Sequence, residues 1–306
     1  MSDSRHLIDY INSIKMKVLI IGGGGMLGHK LTQVFSNKFD TFVTLRGNLS
    51  SYKSLNILNK KNVYENIDAV NIENIEKIVD KLKPNVLINA VGIIKQLPSS
   101  KNVVNTLKIN SIFPHQLAEI AEKNNSRLIC ISTDCVFSGK KGNYSEADVP
   151  DAEDLYGKSK NLGEVVDANC LTIRTSIIGR EIGTKHSLLE WFLSNENGKV
   201  KGFKNAVFSG FPTEILSEIL ADVVENQKDL RGLYHISSKP INKFDLITLI
   251  KEEYGAKIEI EPDEKFVIDR SLDSTKFREK TGFVPQKWKK MIEKMAQDST
   301  NYAEWK

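Results

Sequence analysis

Lys17-Val18-Leu19-Ile20-Ile21-Gly22-Gly23-Gly24-Gly25-Met26-Leu27-Gly28 is the stretch that decides the fold of this 306-residue chain. A continuous apolar run stops at glycines, and Met26 to Phe35 then takes up helical periodicity, which predicts a buried strand, a turn and a helix. Glycines fall at 22, 25 and 28. Gly22 permits the tight turn, Gly25 lets backbone amides approach a pyrophosphate, and Gly28 lets the helix pack closely on the strand. With Met26 and Leu27 these residues form the predicted grip on a dinucleotide.

The alternation continues downstream. Thr41 to Leu45 reads as a second strand, Ile72 to Leu82 as a helix, and Asn85 to Val91 as a strand after the breaker Lys83-Pro84. Phe113 to Asn124 is helical, Arg127 to Phe137 a strongly apolar strand, Leu155 to Ala168 a helix and Leu171 to Ile178 another buried strand. This pattern predicts the α/β class: a Rossmann-type, doubly wound parallel sheet. After Gly179 the rhythm loosens, with helices at 187–196, 213–226, 243–254, 274–280 and 288–295 and extended stretches at 200–208, 232–237 and 257–261. We expect a dinucleotide-binding domain over 16–178, joined again by 213–238. A smaller mixed α/β substrate-binding lobe is expected over 179–212 and 239–306. Residues 1–15 read as an N-terminal extension with a short helix around Leu7 to Ile14.

Composition narrows the partners. A formal charge of +4 is too mild for a nucleic-acid binder but suits a doubly negative small molecule. Cys130, Cys135 and Cys170 have no Cys-x-x-Cys spacing, and His186 and His235 have no metal-ligand spacing, so neither a metal site nor a disulfide framework is expected. No apolar run approaches membrane-span length and the first 15 residues lack a signal-peptide core, so no membrane insertion and a cytoplasmic location are expected. A homodimer is left open.

Chemistry gathers at the predicted strand ends, where ligands of open α/β sheets bind. Arg46 ends the second strand, where an arginine faces a 2′-phosphate, so NADPH is the expected cofactor, with NADH the alternative. Asp68 with Ala69 is read at the end of the third strand, either bonding the adenine amino group or capping the next helix. Asn89, Ala90 and Val91 end the fourth strand with room for a cofactor to pass. Ser132-Thr133-Asp134-Cys135 puts hydroxyls at the end of the fifth. Tyr156 and Lys160 stand four apart, on one helix face. A hydroxyl, a phenol and an ammonium together can hold and protonate a carbonyl oxygen while a nicotinamide donates hydride to its carbon. The spacing alone is weak, since Tyr302 and Lys306 repeat it at the C-terminus, where a structural or tail role is expected.

The glycine pattern, Asn89-Ala90, Ser132-Thr133-Asp134 with Val136-Phe137, and Tyr156-Gly157-Lys158-Ser159-Lys160 resemble an extended short-chain dehydrogenase/reductase, and more narrowly the dTDP-4-dehydrorhamnose reductase family. The resemblance implies Thr133 as carbonyl hydrogen-bonder, Tyr156 as proton donor to a sugar C4 oxygen, and Lys160 as ribose ligand and phenol tuner. Asn110 resembles an asparagine that shapes the active-site helix; a helix-entry cap is the alternative. Cys135 stands where the reductases usually carry tyrosine and the related 4,6-dehydratases a glutamate, which points to reduction without elimination. Asp134 and Cys135 would face the sugar, and Lys204 and Arg270, read as loop residues, the diphosphate of a nucleotide-diphosphate sugar. The implied activity is NADPH-dependent reduction of the C4 ketone of a 4-keto-6-deoxy nucleotide sugar for surface polysaccharide synthesis. The alternatives are a nucleotide-sugar epimerase and a non-catalytic NADP-binding regulatory subunit.

Overall fold

In the computed structural model, residues 15–52, 58–167 and 169–305 are described. The proposed N-terminal helix and Lys306 lie outside them. Strand β1 (Lys17–Ile21) enters helix α1 (Met26–Phe35) through the glycine turn. There follow β2 (Asp40–Thr44), β3 (Val63–Tyr64), α2 (Ile72–Leu82) and β4 (Val86–Asn89). Next come α3 (Val103–Leu107), a π-helical turn at Lys108–Ile112 and α4 (Phe113–Lys123), then β5 (Arg127–Ile131), α5 (Leu155–Leu162), β6 (Cys170–Arg174) and β7 (Ile177–Ile178). Beyond these lie α6 (Leu188–Leu193), β8 (Lys199–Phe208), β9 (Phe211–Pro212), α7 (Thr213–Asn226), β10 (Gly232–His235) and β11 (Ile241–Asn242). Helix α8 (Lys243–Tyr254), β12 (Glu259–Asp269), α9 (Thr275–Thr281) and α10 (Trp288–Ala296) complete the chain.

The main sheet has seven strands in the order β10-β6-β5-β4-β1-β2-β3, all parallel. Both faces are covered because β1 carries no polar side: Val18 and Ile20 join the core under α1 and α7, whereas Leu19 and Ile21 join the one under α2 and α4. Continuous apolar strands are the mark of a parallel sheet buried on both faces. Strand β10 returns to this sheet, with Gly232 to His235 in register with Leu171 to Arg174. A second sheet, β11-β8-β12, mixes an antiparallel and a parallel pairing. Both β11 and β12 register with Val207 of β8, through Asn242 and Asp269. That brings Lys243 and Arg270, the next residues along, to one end of the small sheet.

Some expected boundaries shift. The helix expected from Phe113 begins ten residues earlier, at Val103, and passes through the π turn. Its N-cap is Asn102, whose side chain accepts from Asn105 N. Asn110 is therefore buried inside the helix rather than capping it. Helix α5 stops at Leu162, where the following Gly163 ends it, six residues short of Ala168. Strand β3 ends at Tyr64, so Asp68 is not at a strand end. Its carboxylate instead accepts from Val70 N at 3.0 Å within the turn before α2.

Candidate active site

The glycine turn is shaped for close approach. Gly22 has φ +93°, and a Cβ on Gly28 would lie 2.0 Å from the Gly22 carbonyl oxygen, so no other residue fits there. The first bond of α1 runs from His29 N to the Gly25 oxygen at 3.1 Å. The amides of Met26, Leu27 and Gly28 thus have no acceptor within the helix and point their dipoles outward, as an anion site requires. Gly25 is the N-cap and supplies no side chain to compete. Such a cradle fits a pyrophosphate.

Around it stand the strand ends. Arg46, two residues past β2, is exposed and has no ion-pair partner among the described residues. Asp68 is exposed and Ala69 packs at the edge of the core under α2. Asn89 is buried, and its Oδ1 accepts from Val91 N at 3.1 Å, which turns the chain after β4. Ala90 N donates to Ile21 O, so this turn lies beside the cradle. Tyr52, a residue the sequence reading passed over, packs on the cradle: a Cβ at Gly24 would meet its hydroxyl at 2.5 Å.

Helix α5 carries Tyr156 and Lys160, and its docking is tight. Asp154 caps it, accepting from Gly157 N at 2.7 Å. A Cβ on Gly157 would come within 2.2 Å of the Cys135 carbonyl, so the helix touches the Thr133 loop only because residue 157 is glycine. Ser132 donates to Glu164 at 2.6 Å and is committed to that carboxylate, itself paired with buried Arg174 at 2.7 Å. Thr133 is the hydroxyl left for chemistry. It accepts from Cys135 N at 3.1 Å and donates to Asp134 Oδ1 at 3.2 Å, and it lies close enough to the Tyr156 phenol to oppose the rise in that group's pKa.

Burial pushes the Tyr156 phenol above its ordinary range, with the Cys135 thiol adding to the effect and Thr133 opposing it. The phenol is accordingly protonated at neutral pH. Lys160 is buried and donates to Ile131 O at 2.8 Å. Burial lowers its pKa while Cys130 and Glu164 raise it. Its ammonium is thus pinned to the end of β5, two residues before Thr133, and it is not among the leading influences on the phenol. Asp134 is buried and its pKa is raised, chiefly by that burial, while Cys135 is pushed up to about 12 by burial and by Asp134. A thiol so held stays protonated and cannot serve as a base.

Asn110 binds this region into one unit. It exchanges two hydrogen bonds with the Ile93 backbone and donates to Ser159 Oγ at 3.1 Å, on α5 between the tyrosine and the lysine. Tyr156 lines a cavity of about 180 Å³ with Lys95, Ser100, Thr106, Asp154 and Leu155. A larger cavity, about 340 Å³, lies by Glu181 and Tyr302. There the Glu181 carboxylate is already engaged by Thr184 and the amides of His186 and Ser187, the arrangement of a closed loop.

The two expected diphosphate ligands part company. Lys204 lies within β8, not in a loop; its ammonium pairs with Glu264 at 3.2 Å and sits over Phe244. Arg270 directly follows β12, and its Nε donates to Phe137 O at 2.8 Å, two residues from Cys135. With it come two lysines that the sequence reading missed. Lys95 pairs with Asp154 at 3.7 Å, and Lys243 has no hydrogen-bond or ion-pair partner among the described residues. Burial lowers the Lys243 pKa, and Asp134, Cys135, Lys95 and Arg270 all act on it. No sequence motif marks these lysines. The small sheet and the turn after β4 bring them together. Among the described residues no His/Cys/Asp/Glu cluster could hold a metal, and no helix is long and apolar enough to cross a membrane.

A doubly wound parallel sheet with a glycine cradle, a threonine just past a strand end and a tyrosine and lysine on the helix docked against it defines an extended short-chain dehydrogenase/reductase fold. Within that class the chain belongs to the RmlD substrate binding domain family, whose model matches residues 16–301. It is 26% identical over 303 residues to a dTDP-4-dehydrorhamnose reductase of Aggregatibacter actinomycetemcomitans, covering 90% of this chain and 97% of that one. It is 25% identical over 250 residues to the spore coat polysaccharide biosynthesis protein SpsK of Bacillus subtilis, covering 80% and 81%. The crystal structure of a hypothetical dTDP-4-dehydrorhamnose reductase from Sulfolobus tokodaii superposes with TM-score 0.73 at 25% identity, covering 89% and 98%.

Proposed function

We propose that the protein reduces the C4 ketone of a 4-keto-6-deoxy nucleotide sugar with NADPH, in the supply of surface polysaccharide precursors. The observation that carries the reading is the meeting of Thr133 and Tyr156, held by the Gly157 contact with Cys135, beside a cradle whose Met26, Leu27 and Gly28 amides are open. When bound, the cofactor supplies hydride to the carbonyl carbon. The chain supplies the rest. Thr133 turns its hydroxyl from the long contact with Asp134 to the substrate oxygen, and Tyr156, protonated at neutral pH, gives that oxygen its proton. Lys160, fixed by Ile131, holds the cofactor ribose and offers a cation to the phenolate left behind. Asp68 serves the adenine end, and Asn89 with Ala90 and Val91 forms the floor over which the cofactor runs.

Reduction without elimination is supported by Cys135, whose proton stays on sulfur and which provides no second carboxylate beside Asp134. Lys95, Lys243 and Arg270 give the sugar end a net positive field suited to the diphosphate. A panel of dTDP-, UDP- and GDP-linked 4-keto sugars, assayed for NADPH oxidation, tests the reading. Stoichiometric oxidation with at least one is expected. Turnover of a nucleotide sugar without net NADPH consumption would mean epimerisation instead.

A further inference from the structure

The C-terminal segment reaches the cofactor cradle through a chain of three contacts. His29 Nδ1 lies 2.8 Å from the Gly25 carbonyl oxygen, His29 Nε2 lies 2.8 Å from the Tyr302 hydroxyl, and that hydroxyl lies 2.7 Å from Asp298 Oδ2. A carbonyl only accepts, so Nδ1 must carry a proton. Each contact needs one proton between its atoms, which makes three. A neutral imidazole and a phenol bring two. The phenol can therefore donate either to His29 or to Asp298, and all three contacts hold at once only with a third proton, on the imidazole or on the Asp298 carboxyl; Lys30, paired with the same Asp298 oxygen, keeps that carboxyl ionised and leaves the imidazole to carry it.

The surrounding charges pull both ways. Lys30 is buried and pairs with Asp298 and, at 3.5 Å, with Glu214 of α7. Arg180 stacks on the Tyr302 ring at 4.4 Å but is committed to Glu190. One ammonium thus faces two carboxylates, and an imidazolium is the charge that balances them. His29 is held near 4, first by burial and then by Lys30, while the Gly25 carbonyl and Asp298 oppose. A pyrophosphate at the start of α1, one turn from His29, would favour the cationic form.

We propose that Tyr302 and His29 are positioning residues of the dinucleotide site: the pair holds the Gly25 turn and takes up one proton from solvent when a cofactor pyrophosphate binds. Tyr302 lies just past the residues matched by the family model, which end at 301. The inference rests on the cofactor reading above, and a single experiment separates the two. NADPH is titrated calorimetrically into wild type, Tyr302→Phe and His29→Gln at neutral pH in two buffers of different ionisation enthalpy. Taking the difference from wild type removes the cofactor's own 2′-phosphate ionisation. Expected are greater proton uptake by wild type than by His29→Gln, and affinities weaker by about five- to ten-fold in both variants, the effect of one buried hydrogen bond. Equal proton uptake in all three proteins overturns the proposal, as does an unchanged affinity in the variants. Failure of wild type to bind NADPH would overturn the cofactor reading and this inference together.

Discussion

Asn110 and Ile93 are joined by two hydrogen bonds of opposite sense: Ile93 N donates to Asn110 Oδ1 at 2.8 Å, and Asn110 Nδ2 donates to Ile93 O at 2.9 Å. The amide acts as a strand-like partner for an isolated stretch of backbone and fixes the turn that leads from Asn89 to Lys95. The π turn at Lys108–Ile112 is what aims Asn110 at Ile93, since one extra residue per turn rotates the side chain relative to a regular helix. Replacing Asn110 with alanine leaves both Ile93 groups without partners in a buried place. A loss of about 2–4 kcal/mol in denaturant unfolding is expected, with a fall in turnover as the Tyr156 cavity loses its edge. Wild-type stability in that variant would mean the turn is held by other contacts.

Tyr156→Phe removes the proton donor and nothing else, since the phenyl ring keeps its place on α5. Turnover should fall by about 100- to 10,000-fold while NADPH binding is retained. Thr133→Val tests the second half of the same arrangement and should lower turnover less, because the phenol remains. Steady-state rates with the best keto-sugar of the panel decide both, and full activity of Tyr156→Phe is the outcome the mechanism does not survive.

Arg46 is exposed and unpaired among the described residues, as a ligand for a cofactor 2′-phosphate should be before binding. Arg46→Ala should lower the NADPH-to-NADH ratio of kcat/KM by about 10- to 100-fold, the size of a charge-assisted contact to phosphate. A ratio that does not move would assign the 2′-phosphate to another residue.

Lys243 illustrates stability given up for binding. A partly buried ammonium with no hydrogen-bond or ion-pair partner among the described residues is a cost to the folded chain, offset in part by the Asp134 carboxyl and further when an anion arrives. Lys243→Met keeps the stem and removes the charge, so the denaturation midpoint should rise while the KM for the nucleotide sugar increases about ten-fold. Both shifts are needed; a raised KM with a lowered midpoint would indicate plain misfolding of the small sheet's end.

Local signals were legible in the sequence and nonlocal ones were not. The glycine turn, α1, α7 and α8 follow from periodicity and breakers that act within a few residues, and Tyr156 with Lys160 from a spacing that α5 preserves. For Asn110 the helix-entry cap stays open as an alternative in the sequence because the helix start at Asn102 has a modest signal and a π turn leaves none. Lys204 falls inside the extended stretch expected at 200–208, and its placement in a loop overlooks that stretch, which pairs with β12 as β8. Lys95 and Lys243 stand 148 positions apart in the sequence, and only the folding of the small sheet against the loop at Thr133 relates them. Tyr302, set aside as a C-terminal repeat of the tyrosine-lysine spacing, proves to be a buried partner of His29.

His235 contributes to the acid sensitivity of the fold. Its Nδ1 donates to Tyr144 O at 3.0 Å, and its Nε2 lies 3.3 Å from an Arg174 guanidinium nitrogen, from which it can only accept. A proton on Nε2 would point at that cation. Burial first, and Arg174 second, hold its pKa at about 4 against the ordinary 6.5. In the unfolded chain the imidazole takes up its proton near 6.5, so between 6.5 and 4 the unfolded state binds more protons than the native one. Stability is thus undiminished above 6.5 and falls as pH drops through that window, by about 3 kcal/mol at its acid end. His29 is shifted in the same direction and adds a similar slope. His235→Gln keeps hydrogen-bonding capacity and cannot titrate, so urea unfolding of the variant should show a shallower pH dependence than wild type across this range. An unaltered slope would place the acid sensitivity in other groups and leave His235 protonated in the native state.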